Sequence, residues 1–558
     1  MPEQTWTLAV VLLVGAALTV RQSDVVVASA PRLNEVALAP RGGAKAADDL
    51  FLTADRCMAC HKGVVTSEGV DVSIGYDWRA SMMANSARDP YWQAAVRREI
   101  LDYPEAAGAI EGQCSRCHMP MANVTARAEG RMGSVFANLP VGTNIEDEAL
   151  LAGDGVSCTV CHQVSANGLG NETSFTGGFQ IETEVPSEGR PIFGPFEPDS
   201  GGVGIMHSAT SFRPTEGLHV QSSELCATCH TLFTHSVRPD GGRGPQFTEQ
   251  APYLEWRASS FARDETSCQD CHMPEVVEDV PVTRVLGRAR PNVSRHVFRG
   301  GNFFMLRMLN RYRDELRVIA LPHELAVAAD RTEDHLREST AEVTVVTAKV
   351  ADGRLEAVVE VRNKAGHKFP TAYPSRRAWL HVTVVDRFGR TAFESGAFSP
   401  DGSLVGSDND EDGARYEPHR TEITQPDQVQ IYEAVMVDGE GRVTTGLMSA
   451  DRWVKDNRLL PIGFDRGGAD PRVAVLGEAT HDADFSPGLD RITYSVAIDP
   501  GSGPFTVTVE LWFQPIGYRW AENLAEYDAF ETARFVRFYR EMASSSAIVI
   551  AEDSALAR

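Results

Sequence analysis

Basic residues are scarce in this chain relative to acidic ones. Lys and Arg number 53 against 77 Asp and Glu, a formal net charge of -24 at pH 7. Such a balance offers phosphates no cationic footprint, so nucleic acid is excluded as a partner. Beyond the N-terminus no apolar run approaches the length of a membrane span. No cysteine stands outside one repeated pattern, which leaves no thiol for a bacterial lipid anchor.

That pattern takes up all ten cysteines in five copies: Cys57-Met58-Ala59-Cys60-His61, Cys114-Ser115-Arg116-Cys117-His118, Cys158-Thr159-Val160-Cys161-His162, Cys226-Ala227-Thr228-Cys229-His230 and Cys268-Gln269-Asp270-Cys271-His272. C-x-x-C-H has a mechanical meaning. Two thiols add across the vinyl groups of one porphyrin while the adjacent imidazole coordinates its iron. Zinc sites would combine the pairs in fours, strand one pair, and have no need of a histidine after every second cysteine. A disulfide framework suits small scaffolds, whereas 558 residues with 42% hydrophobic content build ordinary cores. The sequence therefore predicts five covalent haems c, with His61, His118, His162, His230 and His272 as proximal ligands.

The apolar run 6–20 and the small-residue ending at Ala28-Ser29-Ala30 predict a signal peptide over 1–30, or an uncleaved N-terminal anchor. Haem attachment of this type takes place outside the bacterial cytoplasmic membrane, so the motifs themselves require export. Residues 46–337 hold every motif in a loop-rich, partly α-helical setting that the porphyrins would template, with a closing helix over 303–319 and a helical stretch over 333–340. From Ala341 the hydrophobic period changes to two, with a hairpin turn at Asp352-Gly353. Strands spaced through 341–516 predict an all-β sandwich of immunoglobulin-like size. A C-terminal helix within 521–545 packs back on the body.

The sixth ligand decides what a haem does, since a second strong ligand makes a carrier and an open position permits substrate chemistry. Fifteen histidines include five proximal ones. Of the rest, His207, His219 and His296 lie near the fourth and fifth motifs and are distal candidates. No histidine lies between His61 and His118, so Met82 or Met83 is the thioether candidate for the first haem, against simple core packing. His323, His335 and His419 stay open between a ligand and a structural role, with the structural role favoured. Asp408, Asp410 and Asp412 match the opening of a calcium loop, but position twelve is His419 and no helices flank it. Two readings stay open there: a calcium site in a β-domain loop, or a solvated acidic loop.

The five motifs, Trp78-Arg79-Ala80-Ser81-Met82-Met83, the run Ser223 to His230, Arg295 to Asn302 and Gly366-His367-Lys368-Phe369-Pro370-Thr371 together resemble exported multihaem c-type cytochromes. These are related in haem arrangement to the tetrahaem carrier that accepts electrons from hydroxylamine oxidoreductase. The resemblance implies bacterial electron transfer with haems in close-packed pairs, and implies that His367 returns from the β-domain to a haem. The chain departs from the tetrahaem carrier in its fifth motif and its large β-domain. The expected function is electron transfer outside the cytoplasmic membrane, steered toward redox proteins with a basic docking surface, with peripheral or N-terminal membrane association. The alternative is a multihaem oxidoreductase of a small nitrogen or sulfur compound at one five-coordinate haem.

Overall fold

The computed structural model describes residues 50–143, 146–238, 241–284 and 286–558. The expected signal or anchor segment, 1–30, lies outside them. Among the described residues no helix is long and apolar enough to cross a membrane.

The motif-bearing half is made of short helices: α1 (Ala54–Met58), α2 (Ile74–Arg79), α3 (Pro90–Asp102), α4 (Ala107–His118), α5 (Pro120–Ala128), α6 (Cys158–Cys161), α7 (Ser223–His230) and α8 (Cys268–His272). Helical spacing puts positions i, i+3 and i+4 on one face, so Cys114, Cys117 and His118 leave α4 on the same side. The next helix starts immediately, with Pro120 at its first turn, where a missing N–H costs nothing. Met119 is enclosed at that corner, where the chain leaves the motif. Helix α3 is capped by Asp89, whose carboxylate accepts the N–H groups of Tyr91 and Trp92 at 2.8 and 3.1 Å. The cap fixes where Trp92 points, and its indole stacks on the His118 ring at 4.3 Å and 4°.

The predicted helix over 303–319 stops early. Helix α9 (Phe303–Arg311) buries Phe303, Phe304, Met305, Met308 and Leu309, but the chain then turns and Arg317 takes a positive φ of 52°. Leu316 still reaches the core from this turn, which is why periodicity alone extended the helix. The next helix, α10 (Pro322–Ser339), begins well before the expected 333, with Pro322 in its first turn and Glu324 accepting the N–H of Leu321 at 2.9 Å.

Beyond it the chain forms β1 (Ala341–Ala351), β2 (Arg354–Asn363), β3 (Arg377–Val385), β4 (Thr391–Ser395), β5 (Glu422–Ile423), β6 (Ile431–Tyr432), β7 (Leu489–Ala497), β8 (Phe505–Gln514) and β9 (Ile548–Ala557). One sheet runs β4-β3-β8-β9, with β6 also on β3, and the other runs β5-β7-β2-β1. All pairs are antiparallel except β5 with β7. Their alternate residues, among them Leu355, Val359, Val382, Ile492, Val507 and Leu511, share one buried cluster. Each such side chain contributes about 1.5–3 kcal/mol on burial. A small sheet of 434–437, 443–444 and 452–456 branches off between β6 and β7.

The C-terminal expectation needs correction. Helix α11 (Phe530–Met542) is present, but the chain returns as β9 and completes the first sheet beside β8. The β-layer therefore extends past 516 to the last residues. Helix α11 joins the two halves: Arg97 of α3 grips Glu531 at 2.8 and 3.1 Å, and Phe538 stacks on Tyr312 at 3.7 Å.

Candidate haem-binding sites

Four of the five motif histidines are held in the same manner. Nδ1–H donates to a backbone carbonyl: His61 to Val282 at 2.9 Å, His118 to Ser86 at 3.2 Å, His162 to Phe193 at 2.6 Å and His272 to Arg299 at 2.5 Å. A proton fixed on Nδ1 leaves the Nε2 lone pair free and aimed away from the carbonyl, the form in which imidazole binds a metal. Burial depresses the basicity of His118 and His272 to about 4, so both are neutral. Among the described residues His230 has no such carbonyl.

The cysteines fit covalent attachment. Free cysteine is among the most buried residue types, yet none of these ten is fully buried and none is bridged. His230 shows the same combination: its side chain is exposed while burial still lowers its pKa, as expected for a ring that faces a concavity within the fold.

The motifs also meet one another. The thiols of Cys57 and Cys158 stand close enough to influence one another, as do those of Cys117 and Cys229 and those of Cys226 and Cys268. Cys161 feels the field of Cys229. Motif four is thus the junction at which motifs two, three and five converge, and motif one joins through motif three.

Two distal candidates face a motif histidine. The His162 and His296 rings are 6.2 Å apart and 19° from parallel; His272 and His367 are 6.2 Å apart at 13°. With metal–nitrogen bonds of about 2.0 Å and about 1.1 Å from nitrogen to ring centre, two imidazoles sharing a metal have centres about 6.2 Å apart. Both pairs match. His296 donates Nδ1–H to Ser294 O at 3.2 Å and His367 to Lys368 O at 2.8 Å, again leaving Nε2 free. His335, which the sequence left open, lies 5.9 Å from His272 at 67° with its Nδ1 buried and unpartnered.

The other candidates are placed differently. His207 is exposed and directs Nε2 at the Glu188 carbonyl, 2.6 Å away. His219 lies against motif three, with Nε2 on Val164 O at 2.8 Å and its ring edge-on to Phe193. Met82 packs against the main apolar core, whereas Met58 and Cys158 of motifs one and three sit in a separate cluster with Trp78 and Phe298. For Met83 the contact on view is through its carbonyl, which accepts Val156 N–H at 2.9 Å.

No protein-family model matches the chain, and no curated protein matches it in sequence. A penta-heme cytochrome c552 from Thermochromatium tepidum matches in structure, with a TM-score of 0.50 and 14% identity over 92% of this chain and 100% of that one. The likeness is one of fold, shared with that penta-heme cytochrome along almost the whole chain.

The three aspartates of the possible calcium loop each meet an arginine. Asp410 is buried in a two-pronged ion pair with Arg377 at 2.8 and 2.9 Å, while Asp408 and Asp412 turn to Arg415 at 2.7 and 3.6 Å. Guanidiniums already answer the carboxylates that a cation would need to gather. Calcium or a chelator is expected to leave the thermal midpoint unchanged; a reproducible rise with calcium would reinstate the site.

His419, Asp482 and Asp490 bring one potential ligand atom each within 4.8 Å, all buried. The hydrogen bonds argue against a metal there. Both Gln430 Nε2 and Asn457 Nδ2 donate to His419 Nδ1, at 3.0 and 3.1 Å. Those amides cannot turn over, because Gln430 Oε1 accepts Arg420 N–H and Asn457 Oδ1 accepts Glu433 N–H. The His419 proton is therefore on Nε2, donated to Asp482 at 2.9 Å, and that nitrogen has no lone pair for a metal.

Glu249 is 6% exposed and has no hydrogen-bond or ionic partner among the described residues. Burial, and then the charge of Glu99, pushes its carboxyl up to about 8. A carboxyl raised this way binds more protons folded than unfolded, so it weakens the fold as pH climbs from about 4.3 to 8. Glu249→Gln is expected to be neutral for stability at pH 4 and stabilising by on the order of 3–5 kcal/mol at pH 9. Denaturant titrations at the two pH values check this, and equal effects at both would refute it.

Proposed function

We propose that this protein is a pentahaem electron carrier working outside the cytoplasmic membrane. Haems c are attached at Cys57/Cys60, Cys114/Cys117, Cys158/Cys161, Cys226/Cys229 and Cys268/Cys271, each iron passing one electron by cycling between Fe(III) and Fe(II). The observation that carries the reading is the contiguity of the motifs through their thiols, from one to three to four, with two and five joining at four. A branched path of this kind has three free ends, at motifs one, two and five. Cys60 is exposed at the first of these, which suits electron entry or exit. The protein's role is to hold each imidazole in its ligating tautomer and to keep neighbouring haems close.

The acidic surface supports docking to a redox protein with a basic face, with an association rate that falls as salt rises. The N-terminal segment supports export to the periplasm, as a cleaved signal or a retained anchor.

A second reading, oxidation or reduction of a small nitrogen or sulfur compound at one five-coordinate haem, draws on a different observation. Among the described residues His61, His118 and His230 face no second imidazole at the spacing of the two matched pairs. Haem quantitation and low-temperature spectroscopy of the oxidised protein test both. Five haems per chain, all low-spin and indifferent to nitrite, hydroxylamine and cyanide, are expected for the carrier. A high-spin component that responds to those ligands would favour the enzyme, and fewer than five haems would defeat the pentahaem reading.

A further inference from the structure

Arg376 has a neighbour that makes its own condition plain. Arg377, the next residue, is buried with Asp410 as its bidentate partner. Arg458, also deep in the fold, is held by Asp456 at 2.7 Å and Glu255 at 2.9 Å. Arg376 is half-buried, part of it opening into a cleft, and has no carboxylate among the described residues. Its two hydrogen bonds go to neutral oxygens, Thr371 O at 3.0 Å and Asn302 Oδ1 at 2.9 Å. Burial alone pushes it down to about 10.

A guanidinium has five N–H donors in a planar fork. Two are used here, and the group lines a cleft with Glu249, Thr371 and Tyr373. Taking a charge out of water without a counter-ion costs several kcal/mol. A chain with 24 surplus negative charges had many acids from which to supply one. Glu249, on the same cleft, is not paired with it. The position is specific as well: Thr371 belongs to the loop that carries His367, Asn302 follows shortly after Arg299, whose carbonyl holds His272, and the charge of Arg376 is felt at His230 of motif four.

We propose that Arg376, with Asn302 and Thr371 orienting its fork, is the seat of a carboxylate-type anion between the fourth and fifth haem positions. Two sources share that chemistry: a propionate of the haem carried by Cys226 and Cys229, or a small free oxyanion. Planar bidentate pairing to a carboxylate is the task guanidinium does better than an ammonium. The seat would tie the β-domain, through the loop that ends at Arg376, to the redox path. This inference rests on the pentahaem reading.

The test is spectroelectrochemical titration of the full-length holoprotein, wild type against Arg376→Gln and Arg376→Lys, with haem content measured on each. Removing the cation leaves an uncompensated anion beside the haem, which disfavours the reduced state. In R376Q the oxidised-to-reduced ratio of one or two haems at a fixed potential is expected to rise about tenfold, equivalent to about 59 mV for one electron. R376K keeps the charge and loses the fork. It is expected to keep most of the potential while moving the resonance-Raman bending band of the propionate.

If the anion is free, added nitrite shifts the wild-type potential and leaves R376Q unmoved, with the propionate band constant in both variants. Wild-type potentials and an unmoved propionate band in the variants, with no nitrite response, would overturn the seat. Should R376Q fail to accumulate, R376K alone decides through the band and the nitrite response. Fewer than five haems in the wild type would instead undo the underlying reading, and the haem assay separates that failure from failure of the seat.

Discussion

On the pentahaem reading proposed above, replacing His367 by alanine is expected to turn one haem from low-spin to high-spin and to raise its reduction potential. The rings of His272 and His367 are nearly parallel at the spacing of two imidazoles on one metal. The tautomer is fixed by Nδ1–H donation to Lys368 O. The loop around it is also held, since Asn363 Nδ2 donates to His367 O at 2.8 Å and to Leu459 O at 3.0 Å. His335 is the control. It stands as close to His272, but its Nδ1 is unpartnered, so nothing fixes its proton. His335→Ala is expected to leave all haems low-spin. A high-spin signal in H335A and none in H367A would transfer the ligand role to His335. Electron paramagnetic resonance of the two variants reads the outcome directly, and added imidazole is expected to restore the low-spin signal in H367A.

The second large effect concerns the ion network behind that ligand. Lys368, next to His367, has a side chain with no exposure and donates to Asp456 at 2.6 Å. Arg458 binds the same carboxylate and reaches Glu255, which accepts the Lys368 N–H and the Thr371 hydroxyl. Burial pushes the Asp456 carboxyl up, but Arg458 and Lys368 outweigh it and hold the group below its usual range. Its contribution is therefore complete above about pH 4 and is lost as pH falls below that.

Asp456→Ala leaves two cations buried without their shared anion and is expected to cost about 3–5 kcal/mol. The double change Lys368→Met with Asp456→Leu removes the charges on both sides of that contact and is expected to cost much less, since a buried pair and a packed apolar pair are often close in energy. Denaturant midpoints of the three proteins measure this. Equal losses in the single and double variants would show that packing, not charge, holds the loop. Because the network carries His367, D456A is also expected to show a partial high-spin component.

The β-strands were legible in part because a solvated sheet imposes a period of two that no other element shares. The hairpin at Asp352-Gly353 appears where its turn residues put it, with β1 paired to β2. Helix ends were less legible. Leu316 continues the apolar period of α9 although the chain has already turned, so a pattern of burial outlived the helix that produced it. Strand β9 was overlooked because a helix precedes it, and its place beside β8 is set by a partner more than thirty residues back in the chain.

At the haem sites the division is similar. The five C-x-x-C-H motifs are local: thiol, thiol and imidazole must stand three and four residues apart to serve one porphyrin, so the proposal of haem attachment needs nothing beyond the sequence. Distal ligands are not local. His296 and His367 were candidates by position or by resemblance, and the fold brings each against a motif histidine. His207, chosen on similar grounds, faces a backbone carbonyl on an exposed helix. Asp408, Asp410 and Asp412 had the spacing of a cation loop, but arginines placed by tertiary contact answer them. Arg376 and Glu249 gave no signal at all, because an orphan charge is defined by what surrounds it.

What the sequence determined by itself is chemistry confined within five residues: the thiols, the proximal imidazoles and the prediction of five haems. What only the tertiary structure decided is which motifs touch, which imidazoles face each other and which charges lack a partner. Those properties depend on the approach of segments tens to hundreds of residues apart, and nothing in a local spacing fixes such distances.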